Sequence, residues 1–255
     1  MFKKKIVVAL ALFLSAIMLL SSGMVVNAHQ PTRSNVEVEL PEESVDSRTF
    51  AMSRFERITI GGNWAVTYVE APNHAIRVVM DSGGFDHYNF NVRLRTLRIE
   101  RRPLLRSFNH SVQPRIYVYA PSLESVTLSG LAVAENWSPV VGRDFAINIT
   151  GAATADLDLE ITRNLVVNSS GMPNLTLSGN AQSLRINGAG VTNISAFELQ
   201  AVDVRPVTLA GIGTVEVTAT DRLDVRAAGT TRLYFRGTPT VTQRVTGSAR
   251  VIDAN

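Results

Sequence analysis

The segments FAINITG at residues 145–151, LVVNSSG at 165–171 and LRINGAG at 184–190 are three copies of one pattern. In each copy, apolar residues occupy the first and third positions and a glycine occupies the seventh. Apolar residues two apart place their side chains on one face of the backbone, as in a half-buried β-strand. The three segments therefore predict strands that enter the same kind of turn.

The glycine of this pattern recurs every 18 to 21 residues through the second half of the chain. Apolar pairs also stand four and six residues after most of these glycines, so that each repeat holds two strands and a turn. A fixed period of this length is typical of a solenoid, whose repeats bury their apolar sides against one another. The predicted turn glycines, which tolerate positive φ, are Gly130, Gly151, Gly171, Gly190, Gly211, Gly229 and Gly247.

We therefore expect an all-β fold, a single-stranded β-helix or solenoid of about 20 residues per turn. The alternative is a β-sandwich with turns every 8–12 residues, but the fixed phase of the glycines favours the solenoid. Asn148, Asn168 and Asn187 each stand three residues before a glycine. In a stacked coil they would form a ladder of amide hydrogen bonds.

The chain begins with the features of a secretory signal peptide. Lys3–Lys5 are followed by the apolar run Ile6–Leu20, and small residues lead to a predicted cleavage site after Ala28. An uncleaved membrane anchor is the alternative, but the run is short for a span. We expect an exported protein in the periplasm, on the cell surface or secreted, without an integral span after cleavage. With no cysteine it is not a lipoprotein.

Charge and composition exclude several classes of function. All three lysines fall within the signal segment, so the remaining chain has 22 arginines against 22 acids and no net charge. That balance argues against nucleic acid as a partner, since nucleic-acid binding needs a basic face. The absence of cysteine excludes disulfides and thiolate chemistry.

We divide the remaining chain into three parts. Residues 29–50 are acidic and are predicted to be a flexible leader, with a docking strand as the alternative. Residues 51–122 alternate without a regular period and are predicted to be an irregular β cap that protects the amino-terminal end of the solenoid. Residues 123–255 hold the repeats. The cap and the repeats are expected to be continuous.

Two ordered sets of residues carry a resemblance to a known family. The first is Phe55-x-x-Ile58-x-Ile60-Gly61-x-x-Trp64-x-Val66-x-Tyr68, and the second is IYVYAPSLESVTLSG at residues 116–130, followed by the repeats. Over residues 51–251 the chain resembles the head GIN domain family of autotransporter adhesin head domains. The resemblance implies a β-helix of the pectin-lyase-like type, export and a role in adhesion, and it supplies no catalytic residues. The Gly-Ser-Gly turns frequent in that family are replaced here by turns such as Ser129-Gly130-Leu131.

Motifs of catalysis are scarce. The four histidines lack metal-ligand spacing, and no nucleophile elbow or phosphate-binding loop occurs. Asp156 and Asp158 share one strand face about 7 Å apart, as a glycosidase pair or two calcium ligands would, but an exposed acidic face explains them equally. We predict no catalytic residue, no metal site and no cofactor.

The strongest concentration of charge is the segment from Arg93 to Arg115, where Glu100 is the only acid. Arg95-Thr96 lies between apolar residues and predicts a hairpin turn. Arginine binds carboxylate, sulfate and phosphate through two parallel hydrogen bonds. The candidate anion-binding residues are Arg93, Arg95, Arg98, Arg101, Arg102 and Arg106. The alternative is an exposed hairpin whose charge the acidic leader balances.

Three functions remain open. The first is a non-catalytic adhesion or envelope-interaction module that binds a cell-surface component, either protein or glycan, with an anionic polysaccharide or surface polymer as one candidate ligand. The second is a polysaccharide lyase or hydrolase on a β-helix. The third is a structural scaffold of the envelope that docks through an exposed end strand. The lack of catalytic motifs, together with the resemblance, favours the first, and the prediction is that the protein is not an enzyme.

Overall fold

The computed structural model of the protein describes residues 45–102 and 112–255. Its strands are β1 (Val45–Ala51), β2 (Arg57–Gly62), β3 (Ala65–Glu70), β4 (Ala75–Asp81), β5 (Tyr88–Arg93), β6 (Thr96–Arg101), β7 (Arg115–Ala120), β8 (Ser125–Gly130), β9 (Val133–Ala134), β10 (Val140–Gly151), β11 (Thr154–Gly171), β12 (Asn174–Arg236), β13 (Thr240–Gly247) and β14 (Arg250–Asp253). A 3₁₀-helix, Ser82–His87, joins β4 to β5. The predicted signal peptide, leader residues 29–44 and Arg106 lie outside the described residues.

The chain forms a β-solenoid of about six turns with about 20 residues per turn, which confirms the predicted fold. Successive coils pair in parallel and in register, as in Ile147↔Val167 and Ala155↔Leu175. The strands that lead into the turn glycines form the first sheet, and those that follow the glycines form the second. Because β11 and β12 run unbroken through the corners, the hydrogen-bonded strands form one 14-stranded arrangement.

The predicted turn glycines stack at one corner of the coil, here called the glycine corner. The register pairs Gly130 with Gly151, Gly151 with Gly171 and Gly171 with Gly190, and each has positive φ. A Cβ on Gly211 would come 2.1 Å from the carbonyl oxygen of Gly190, so no larger residue fits there without a shift. The corner therefore needs glycine for both its φ and its close backbone approach.

The inward side chains of the two sheets form one continuous apolar core. The alternating residues that the sequence placed inside, such as Leu165, Val167 and Leu184, are fully buried. At the amino-terminal end the core contains Trp64, which packs edge-on against Tyr88 with ring centroids 5.0 Å apart. Interleaved apolar rows of this kind supply the burial that each repeat lacks alone.

The strands of residues 51–122, the stretch predicted to be a cap, add to both sheets at the amino-terminal end. In the first sheet, β2 pairs with β6, which in turn pairs with β5 in antiparallel fashion. In the second sheet the order is β3, β7, β4, β1, and the last two pairings are antiparallel. The sheet begins at Val45, inside the stretch assigned above to the leader, because Phe50 of β1 stacks on Phe90 of β5 and helps close the core.

Candidate functional site

The predicted arginine-rich hairpin is present as β5 and β6, here called the basic hairpin. Its two strands pair from Tyr88↔Arg101 to Arg93↔Thr96. Leu94 and Arg95 form the two-residue loop with φ of 50° and 59°. Two successive residues with positive φ match the twist of the flanking strands, which is why such loops close tight hairpins. The sequence placed the turn one residue too late, at Arg95-Thr96.

Arg95 makes an internal ion pair. Its guanidinium contacts Oε1 of Glu56, which also accepts a hydrogen bond of 2.8 Å from Nη2 of Arg54. Glu56 is 6% exposed, so its charge needs these cations. The carbonyl oxygen of Arg95 also accepts backbone hydrogen bonds from Glu56 and Arg57. Arg95 therefore holds the hairpin turn against the start of β2.

The remaining arginines of the hairpin are exposed and differ in their contacts. Nη1 of Arg98 lies 3.4 Å from Oε1 of Glu100, and Nε of Arg102 donates a 2.8 Å hydrogen bond to Oδ1 of Asn89. Arg101 lies opposite Tyr88 at the end of the pairing. Arg93 forms no ion pair with any residue in the described ranges. The charge of Arg93 is therefore not neutralised within the described ranges, whereas that of Arg98 is neutralised in part by Glu100.

Arg57 extends this basic surface. It lies beside Thr96 in the parallel pairing of β2 with β6, and Thr96 lies opposite Arg93. Its Nε is 4.0 Å from Oε2 of Glu124, so it is only weakly neutralised. The alternation of Arg57 with Ile58 and Ile60 predicts that Arg57 points outward. The pairing of β2 with β6, which joins residues far apart in sequence, is what places it beside the hairpin.

A continuous row of polar side chains runs from the hairpin along the outside of the first sheet. The strand registers place its members side by side, and we call it the polar row. Its members are Arg98, Thr59, Thr127, Asn148, Asn168 and Asn187. At about 4.8 Å per strand, these six side chains span roughly 24 Å.

The asparagines of the polar row form the predicted amide ladder. Nδ2 of Asn187 donates to Oδ1 of Asn168 at 2.8 Å, and Nδ2 of Asn168 donates to Oδ1 of Asn148 at 2.9 Å. Nδ2 of Asn148 reaches Oγ1 of Thr127 at 3.4 Å. The hydrogen bonds run in one direction along the axis, which fixes these amides in a regular array.

The acid pair Asp156 and Asp158 lies on the outside of the second sheet. Asp156 and Asp158 project from the second sheet beside Thr176 and Ser178 of the next coil, and Ser178 Oγ lies 3.4 Å from Oδ1 of Asp158. Among the described residues, no group of three or more His, Asp or Glu side chains is placed to hold a metal ion. The acid pair therefore lies on an outward sheet face bordered by hydroxyl side chains.

An open cleft of about 900 Å³ lies where four successive coils enter the first sheet. Arg163 donates two hydrogen bonds to Asp144 across neighbouring coils, at 3.0 and 2.5 Å. These bonds, followed by one from Asn164, lower the pKa of Asp144 below its ordinary value. A carboxylate held ionised in this way suits a structural ion pair and is a poor proton donor.

No helix among the described residues has the length and apolar character that crossing a membrane demands. No curated protein matches the chain. Solved structures share its fold at low identity. A structure from Bacteroides fragilis described as a putative adhesin has a TM-score of 0.74 and 18% identity, covering 84% of this chain and 99% of its own.

Two further structures extend this likeness. A putative lipid binding protein from Parabacteroides distasonis has a TM-score of 0.68 and 19% identity, covering 84% of this chain and 98% of its own. A putative adhesin from Parabacteroides merdae has a TM-score of 0.63 and 20% identity, with the same coverages. A family model matches residues 54–239. The chain therefore belongs to the family described as "Putative auto-transporter adhesin, head GIN domain".

Proposed function

We propose that the protein is an exported, non-catalytic adhesion module that binds an anionic polymer of a cell surface or envelope. The family and the fold support an adhesion-like module. The choice of ligand rests on one observation, that the polar row begins at Arg98 of the basic hairpin, so that the two surfaces are continuous. Cations at one end and fixed amides along the remainder offer contacts to charged and hydroxyl groups of an extended chain.

The chemistry of these side chains indicates the ligand class. Arg93, Arg57 and Arg98 present guanidinium groups that can hold carboxylate or sulfate through paired hydrogen bonds. Asn148, Asn168 and Asn187 supply amides at a spacing of about 4.8 Å, close to the length of one sugar unit. An acidic polysaccharide offers anions and hydroxyls together, and it is the partner that we favour.

The test is binding of the protein to an array of acidic and neutral polysaccharides. Replacing Arg93 and Arg98 by Ala is expected to weaken binding to acidic polymers by roughly tenfold or more, since each charge-assisted bond contributes about 1.5–3 kcal/mol. The matched control replaces Arg226 and Arg244, a stacked pair at the other end of the same sheet. Equal loss in both variants would contradict the assignment to the hairpin.

Two further measurements test the remaining parts of the proposal. The same polysaccharides, incubated with the protein, are expected to keep their chain length, and release of shortened products would overturn the non-catalytic part. Amino-terminal sequencing of the exported protein is expected to begin at His29. A start at Met1 would favour the uncleaved anchor. We also propose that residues 51–251 act as one continuous domain.

A further inference from the structure

The carboxyl-terminal end of the solenoid differs from the capped amino-terminal end. Within the described residues, β13 and β14 each pair only with β12, so each keeps one open side. We call these two open sides the carboxyl-terminal edge. The open backbone groups of an edge strand are a template for pairing with another chain.

The last coil also exposes an apolar row at this edge. Val241, Gln243 and Val245 pair with Leu223, Val225 and Ala227, which are buried, so their side chains share the inward face. Val241 is nevertheless 37% exposed and Val245 42% exposed, because no further coil of the described chain covers them. A strand with matching apolar residues would bury this row and extend the core.

Like charges meet on both sheets at the same end. Arg226 lies beside Arg244 in the first sheet, and Arg232 lies beside Arg250 in the second. None of the four forms an ion pair within the described ranges. Like charges opposite one another on neighbouring strands are destabilising. An incoming strand that pairs with β13 and carries acids on its outward face would relieve the first of these pairs.

The sequence of the leader has the required pattern. At residues 35–40, NVEVEL, Val36, Val38 and Leu40 alternate with Glu37 and Glu39. Such alternation places the apolar residues on one face of a strand and the acids on the other. A strand that completes the edge needs apolar side chains on its inward face and acids on its outward face. Residues 35–40 have both. It is charged oppositely to the two arginine pairs.

Chain length decides which molecule the segment can complete. Leu40 precedes Val45 of β1 by five residues, which span at most about 18 Å. β1 and β14 are the outermost strands at opposite ends of the second sheet. The ten strand spacings between them amount to roughly 48 Å. The edge that such a strand completes must therefore belong to another copy.

We infer that residues 35–40 of one copy add as a strand to β13, at the carboxyl-terminal edge of a second copy, joining the rods head to tail. The contact is β-strand addition, with backbone hydrogen bonds for affinity and alternate side chains for specificity. Because the two surfaces differ, the contact does not close on itself and produces a chain of copies. This inference does not depend on the polysaccharide ligand.

The direct test uses a labelled peptide of residues 33–44 and measures its fluorescence anisotropy on titration with the protein. Saturable binding is expected, and Val245→Glu is expected to weaken it by roughly tenfold or more because a charge would enter the apolar row. The matched control is Val191→Glu, at a residue 36% exposed next to the glycine corner. Equal binding by wild type and Val245→Glu would overturn the inference, as would no binding.

Self-association of the exported protein gives a second readout by sedimentation velocity. The inference expects a concentration-dependent series of species that Val38→Asp and Val245→Glu each abolish. A closed dimer that Val38→Asp leaves intact would overturn it and would indicate contact between two carboxyl-terminal edges. A monomer at all concentrations would overturn it as well, including the case in which the leader pairs within its own copy.

Discussion

Gly171 lies directly against Gly151 at the glycine corner, where a Cβ on Gly171 would come 2.6 Å from the carbonyl oxygen of Gly151. The backbone at Gly171 has a φ of +101°, which side-chain-bearing residues rarely adopt. The close approach of neighbouring backbones and the positive φ therefore both favour glycine at the stacked positions of this corner. They explain why the period of the sequence is marked by glycine.

The first prediction follows from this contact. Gly171→Ala is expected to lower the free energy of unfolding by about 2 kcal/mol or more, because strain at positive φ adds to steric overlap. Urea unfolding monitored by circular dichroism measures the change. Gly142→Ala is the control, since a Cβ there meets its nearest atom at 3.9 Å. Similar stability losses in the two variants would contradict the steric account.

The second prediction concerns the amide ladder. Asn168 donates to Asn148 and accepts from Asn187, so Asn168→Ala removes two hydrogen bonds and leaves two part-buried amides short of a partner. The expected loss is about 1–3 kcal/mol. Asn193, an exposed residue of β12, gives the control variant Asn193→Ala, which is expected to unfold within about 0.5 kcal/mol of wild type. Chemical denaturation measures the free energy of unfolding of both variants, and equal values would contradict a stabilising amide ladder.

The third prediction is a loss of stability in alkali. Burial, followed by the charge of Glu70, raises the pKa of Tyr68 to about 12. Its hydroxyl donates to the carbonyl oxygen of Ala120 at 3.1 Å, which requires the protonated form. A raised pKa means that the folded state holds the proton more tightly. The contribution is therefore complete below pH 10 and lost as the pH rises from 10 to about 12.

Thermal unfolding at pH 9 and pH 11.5 measures this effect. The wild-type melting temperature is expected to fall more steeply than that of Tyr68→Phe, which has no hydroxyl to ionise. Ultraviolet absorbance at alkaline pH should show the tyrosinate signal of Tyr68 appearing late, and Tyr68→Phe should lack that step. An identical pH dependence in both proteins would show that Tyr68 does not titrate as described.

The fourth prediction concerns the turn of the basic hairpin. Glu56→Gln removes the charge that Arg54 and Arg95 share. Loss of a partner from a buried ion pair costs about 3–5 kcal/mol when the remaining charge stays buried. Because both arginines are exposed enough to turn to water, a smaller loss of roughly 1–3 kcal/mol is expected. Denaturant unfolding measures the loss in free energy of unfolding. A loss under about 0.5 kcal/mol would show that Glu56 does not stabilise the hairpin turn.

The repeats were predictable because one simple constraint recurs in them. Each coil needs apolar residues at alternate positions and glycine at one corner, and both features can be read directly from the sequence. Gly62 belongs to the same stack, since it pairs with Gly130. It was missed because the intervening residues form β3 to β7, which lengthens that interval far beyond the repeat. Gly179 lies at another corner, against Leu159, and Gly213 lies two residues after Gly211, against Thr192. Neither is part of the regular spacing.

The charge partners of the hairpin could not be predicted in the same way. The sequence indicated an arginine cluster and assigned its balance to the acidic leader. In the structure Glu56 meets Arg95, and within the leader Asp46 pairs with Arg48 at 3.0 Å. The contact of Glu56 with Arg95 depends on the parallel pairing of β2 with β6. Local composition reveals that a segment is basic, whereas only the strand order reveals which acid neutralises it.

The central claim is that successive coils stack in register, and engineered disulfides test it directly because the chain has no cysteine. Thr150 and Ser170 are neighbours in the first sheet, whereas Thr176 lies on the second. Paired strands bring Cα atoms within disulfide reach, but sheets about 10 Å apart do not. Mild oxidation is predicted to close a disulfide in Thr150→Cys/Ser170→Cys and not in Thr150→Cys/Thr176→Cys. Free thiols in the first variant, or equal crosslinking in both, would contradict the stacked solenoid.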